Sequence, residues 1–82
     1  MAVQKHVLRD RIVVSKEIAH GQPRVAGTRI MVHLIIDLLA AGKSIDEIIS
    51  DDYYPDLAVE DVLACIAYAG DVIKAETIIP TA

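Results

Sequence analysis

The chain has 82 residues, 54% of them apolar and 24% charged, with a formal net charge of −4. That length fits one small domain, and the apolar content excludes disorder for most of it, because disordered chains combine low hydrophobicity with high charge. A single cysteine, Cys65, excludes an internal disulfide and a cysteine-based zinc site. The longest apolar stretch, residues 30–41, is broken by His33 and Asp37. It falls well short of the roughly 18–20 apolar residues that span a bilayer. The charged start lacks an apolar signal core, so a cytoplasmic location with no membrane partner is expected.

Residues 1–11 are mostly polar and are expected to form a mobile arm. Ile12-Val13-Val14 is a β-branched run and the first strand candidate. His20-Gly21-Gln22-Pro23 and Ala26-Gly27-Thr28 read as turns, since Gly reaches positive φ and Pro fixes its own. Arg29-Ile30-Met31-Val32 is a second strand candidate. A short β-hairpin or a pair of short strands around an irregular loop is the expected outcome.

From Val32 the apolar period becomes helical. Val32, Ile35, Ile36 and Leu39 follow the i, i+3, i+4, i+7 spacing, and Leu34 and Leu38 widen the stripe. Gly42 stands where a helix ends in a left-handed residue. Ser44-Ile45-Asp46-Glu47 is a capping box that opens a second, short helix, and Pro55 ends it. A third helix starts near Val59. Val59, Val62, Leu63 and Ile66 are expected on its inner face, and Glu60 and Asp61 complement its N-terminal dipole. Gly70 either ends this helix or lies inside one that continues past Val72 and Ile73. The expected core centres on Ile35, Leu39, Ile48, Leu63 and Ile66. Three helices with a short turn between the last two suggest a mainly α domain over residues 12–76, with a tail at 77–82. The implied fold is a three-helix helix-turn-helix, winged-helix-like because strands precede it.

Charge is distributed unevenly. Residues 1–30 carry Lys5, Arg9, Arg11, Lys16, Arg24 and Arg29 against Asp10 and Glu17, and the remainder is strongly acidic. A basic first third points to a nucleic-acid face, with Arg24, Thr28 and Arg29 the candidate DNA-binding residues. The alternative for Arg29 is structural, tying its loop to a carboxylate or to helix-end carbonyls. The third helix carries no Arg, Lys, Asn or Gln over residues 59–68, so it lacks the side chains that read base edges. His33 and Asp37 are four apart and read as a surface pair. Asp51, Asp52 and Asp56 lack calcium-loop spacing. Cys65 reads as packing. No nucleophile–base pair, phosphate-binding loop or metal cluster emerges, so no catalysis, metal or cofactor is expected.

Several blocks in residues 18–68 carry a resemblance: Gly21-x-Pro23-x-Val25-x-Gly27-Thr28-Arg29-Ile30, Ala41-Gly42-x-Ser44-x-x-Glu47-Ile48, Tyr54-Pro55-x-Leu57, Glu60-Asp61-Val62 and Ala67-Tyr68-Ala69. Together they resemble domain-of-unknown-function family 433, small proteins grouped with helix-turn-helix domains and described as VapB-like antitoxins. The resemblance implies an antitoxin-like protein of a toxin–antitoxin pair, neutralising a PIN-like nuclease. Operator DNA would be a second partner, bound as a dimer. A protein-interaction module without DNA binding is the alternative. The chain departs from the family pattern at Met31, where Pro is common, and at Ala58, where a capping Thr is usual. Apolar residues left over after the core is assigned point to a homodimer or partner contact through Tyr68, Val72, Ile73, Ile78 and Ile79.

Overall fold

A computed structural model describes residues 6–75. Strand β1 (His6–Arg9) turns through Asp10 and Arg11 into β2 (Ile12–Val14). The two pair antiparallel, with Val7 opposite Val13 and Arg9 opposite Ile12, and a bulge lies between. Arg11 sits at φ 71°, a single left-handed residue in the turn beside the bulge. Strand β3 (Arg24–Val25) pairs antiparallel with the other side of β2, giving the order β1-β2-β3. Three helices follow: α1 (Val32–Ala40), α2 (Ile45–Ile48) and α3 (Val59–Ala75).

The chain therefore does not form the expected mainly α, winged-helix-like helix-turn-helix domain. It is a small α/β fold in which an antiparallel sheet precedes the helices. The physical reasons are local. Residues 6–9, expected in a mobile arm, offer the Val7-Leu8 pair and close a ladder onto β2. The second strand lies at Arg24–Val25 rather than at Arg29–Val32, and Met31 contributes only a single bridge back to Arg24. Helix α2 is one turn long. Its chain leaves at once through a bond from the Tyr54 N–H to the Ile48 carbonyl at 2.9 Å.

The helix ends follow local chemistry closely. At the end of α1 the Lys43 N–H reaches the Leu38 carbonyl and the Gly42 N–H reaches the Leu39 carbonyl, both at 3.0 Å, with Gly42 at φ 91°. That pair of bonds is a Schellman motif, and only Gly takes its left-handed residue without strain. The capping box opens α2: the Glu47 N–H donates to Ser44 Oγ and the Ser44 N–H donates to Glu47 Oε1, each at 3.1 Å. These bonds hold the Glu47 carboxylate below its ordinary pKa. Ala58 supplies no cap at α3, but its N–H donates to Asp61 Oδ2 at 2.8 Å. Asp61 thus performs the reciprocal half of a capping box alone.

The core gathers Ile12 and Val25 from the sheet, Val32 and Ile35 from α1, Ile48 from α2, Leu57, and Val62 and Cys65 from α3. Leu39 packs partly buried against it. Leu63 and Ile66, expected at its centre, instead remain 50% and 42% exposed. Helix α3 is rotated by about one residue from the expected face, so Val62 and Cys65 point inward. Arg11 Nη1 donates to Asp61 Oδ1 at 3.0 Å, and Arg9 pairs with Asp71 at 3.4 Å. These links orient α3 on the hairpin.

Ile35→Ala or Ile48→Ala should cost about 2–5 kcal/mol in urea melts, whereas Leu34→Ala, at a half-exposed position, should cost under about 1 kcal/mol. Burial also raises the Cys65 thiol from 9.0 to about 11. The folded chain holds this proton more tightly than the unfolded chain. The stability so gained is complete below pH 9.0 and is lost as pH rises towards about 11. The melting temperatures of wild type and Cys65→Ala should therefore converge over that window.

Candidate functional site

Helices α1 and α3 flank a groove of about 390 Å³. Its apolar lining comes from Val32 and Ile36 of α1 and from Tyr68, Ala69, Val72 and Ile73 of α3. Gln22, Pro23, His33 and Asp37 form the rim. Helix α3 has 17 residues and α1 has nine. Towards the C-terminal end of α3, Val72 is 43% exposed and Ile73 67% exposed. His33 Nδ1 lies 3.7 Å from Asp37 Oδ2 on the exposed side of α1, as the four-residue spacing suggests.

The rim segment is held in an unusual backbone. Ala19 and His20 lie at φ 54° and 56°, followed by Gly21 at 75°. The turn is closed by the Gly21 N–H on the Ile18 carbonyl and the Gln22 N–H on the Ala19 carbonyl. Left-handed conformations cost a residue with a Cβ about 1–2 kcal/mol each. The strain is tolerated where it sets Gln22 and Pro23 at the mouth of the groove.

Three of the expected partner-contact residues, Tyr68, Val72 and Ile73, thus come together on one surface. Ile78 and Ile79 lie outside the described residues. In the sequence Val32 and Ile36 read only as part of the apolar stripe of α1, and their place in the groove lining goes unread there. The adjacent apolar pair Ile35-Ile36 was the available signal, because two neighbours on a helix cannot share one narrow face.

The candidate DNA-binding residues do not form one exposed surface. Arg24 is buried, and its Nε and Nη1 atoms have no hydrogen-bond partner. It stands opposite Val13 across the ladder, on the face turned away from Ile12 and Val25. Ser15, two residues along β2 from Val13, is buried with its Oγ unpartnered as well. Thr28 uses its hydroxyl inside its own turn, donating to the Val25 carbonyl at 2.8 Å and accepting from the Ile30 N–H at 3.0 Å. Arg29 is exposed. Arg9 and Arg11 are engaged with α3 carboxylates. Of the basic residues of the first third, only Lys16 and Arg29 are exposed without an ion-pair partner among the described residues. Among the described residues, no group of three or more His, Cys, Asp or Glu side chains is placed to hold a metal ion. No helix among them is long and apolar enough to cross a membrane.

Fold and groove together define a small α/β domain with a surface groove between two helices. The family model described as "Protein of unknown function (DUF433)" matches residues 12–69, and the chain belongs to that family. No curated protein and no solved structure matches it.

Two outcomes follow. Arg24→Met removes a buried guanidinium whose nitrogens lack partners while keeping most of its length. It should leave stability unchanged or raise it by about 1–3 kcal/mol in urea melts. Ala19→Gly should raise stability by about 1 kcal/mol by removing the left-handed strain.

Proposed function

We propose that the chain is a protein-binding module and acts as the antitoxin-like half of a toxin–antitoxin pair. The groove between α1 and α3 would receive an apolar segment of a PIN-like nuclease. One observation carries the docking role. The groove is lined mainly by aliphatic side chains and Tyr68, with Gln22, His33 and Asp37 beside them, and Val72 and Ile73 in it are exposed. Apolar surface of this kind on a small domain generally marks a contact with another macromolecule. The strained turn at its rim adds support, since strain persists where a local geometry serves binding. The family resemblance supplies the nature of the partner.

Operator contact by the chain alone is not part of this proposal. Non-specific DNA affinity comes from neutralised phosphates. Among the described residues the basic groups of the first third are paired or enclosed, Lys16 and Arg29 excepted, while the whole chain carries a charge of −4.

The first expected outcome is a PIN-like nuclease in the neighbouring reading frame, and that nuclease, purified, provides the test. Wild-type chain should bind the purified nuclease and suppress its RNA cleavage. Val72→Asp places a carboxylate in the groove at a solvent-accessible position. It should abolish binding and release the nuclease, with its own melting temperature changed by no more than a few degrees. Undiminished inhibition by Val72→Asp would overturn the groove as the docking site. In a gel shift at low salt, the chain alone should not retard its own promoter; retardation lost in Arg29→Ala would restore the DNA reading.

A further inference from the structure

Helix α3 carries a second apolar line, apart from the groove. Val59, Leu63, Ile66, Gly70 and Ile73 follow spacings of four, three, four and three, which align residues along one side of a helix. This line lies next to the inward line of Val62, Cys65, Ala69 and Val72 and turns away from the core. Val59 is 38% exposed, Leu63 50%, Ile66 42% and Ile73 67%. The line is about 21 Å long, and only Ile73 at its end also borders the groove. Its position follows from the links of Asp61 and Asp71 to the hairpin, which hold it outward.

We infer that this line is a self-association surface, on which α3 of a second copy packs antiparallel. Three features select a second copy and this direction. First, the ends of α3 differ in charge, with Glu60 and Asp61 in its first turn and Lys74 in its last, where the nearby Asp71 is paired with Arg9. A parallel pair would set Glu60 beside Glu60. An antiparallel pair opposes the helix dipoles and brings unlike ends together. Second, the line complements itself in reverse. When Leu63 faces Ile73 of the second copy, Ile66 faces Gly70, and Glu60 falls within a turn of Lys74. The two-fold axis repeats every contact, as a closed dimer requires. Third, nothing among the described residues requires glycine at position 70. A Cβ built on it would meet nothing within 4 Å, and no positive φ demands glycine there. Glycine inside a helix is unfavourable. Opposite Ile66 of a second copy it leaves room for that side chain.

Sedimentation equilibrium of the purified chain tests this without the nuclease, so it is separate from the groove proposal. Wild type should be dimeric at tens of micromolar. Ile66→Lys and Gly70→Lys should each be monomeric while keeping the helical circular dichroism of the folded chain, because Ile66 is exposed and a side chain at Gly70 has open space around it. Gly70→Lys improves helix propensity, so its loss of association would not reflect unfolding. Glu60→Lys should raise the dimer dissociation constant by roughly tenfold through two lost ion pairs and two repulsions. Glu60→Lys with Lys74→Glu should restore it. A wild-type monomer at this concentration would overturn the inference. So would a dimer that survives Ile66→Lys, or a charge-swapped double variant no tighter than Glu60→Lys.

Discussion

The Asp61 carboxylate divides its two oxygens between the two halves of the fold, Oδ2 accepting the Ala58 N–H and Oδ1 accepting Arg11. The first bond closes the start of α3 where the sequence provides no capping side chain. The second fixes that start to the hairpin turn, fifty residues earlier in the chain. With Arg9 and Asp71 adding a second link further along, the helix is held at two points along its length. Both pairs are largely exposed, and each would contribute little as an isolated surface ion pair. Their effect is on orientation: which apolar line of α3 meets the sheet and which meets solvent.

That orientation explains where sequence reasoning succeeded and where it did not. The capping box at Ser44 and Glu47, the left-handed Gly42, and the start of α1 at Val32 depend on residues within four positions of one another, and all are formed. The face of α3 is a different kind of question. Val62 is followed by Leu63 and Cys65 by Ile66, so two neighbouring apolar lines fit a helical period equally well. Local patterning does not separate them. The choice between them is tertiary, made by what α3 packs against, and Arg11, which reads as part of a polar arm, is one of its partners through Asp61.

Arg24 illustrates the same limit for the candidate site. Flanked by Pro23 and near Gly27, it reads as a loop cation, and cations in loops are ordinarily solvated. Pairing of β3 with β2 draws it into the sheet, where the face opposite the core encloses it. Thr28, three residues from the Val25 carbonyl it binds, serves its own turn. The groove is partly legible: Val72 and Ile73 read as surplus apolar surface, and Tyr68 as a core or dimer contact. Their neighbours Val32 and Ile36 do not, because a residue that packs on one side and lines a groove on the other carries the sequence signature of core alone.

The buried thiol of Cys65 gives the molecule an internal clock. Thiolate, not thiol, reacts with electrophiles, and here the sulfur is both shielded by the helices and reluctant to ionise. Chemical labelling therefore waits for α3 to leave the sheet and its neighbouring helices. Because Cys65 sits on the inward line, that event exposes the core as a whole rather than a frayed end. The chain holds no other thiol to confuse the signal. The rate of modification thus reports how often the hairpin loses its hold on the helix, in an unaltered protein and without a denaturant.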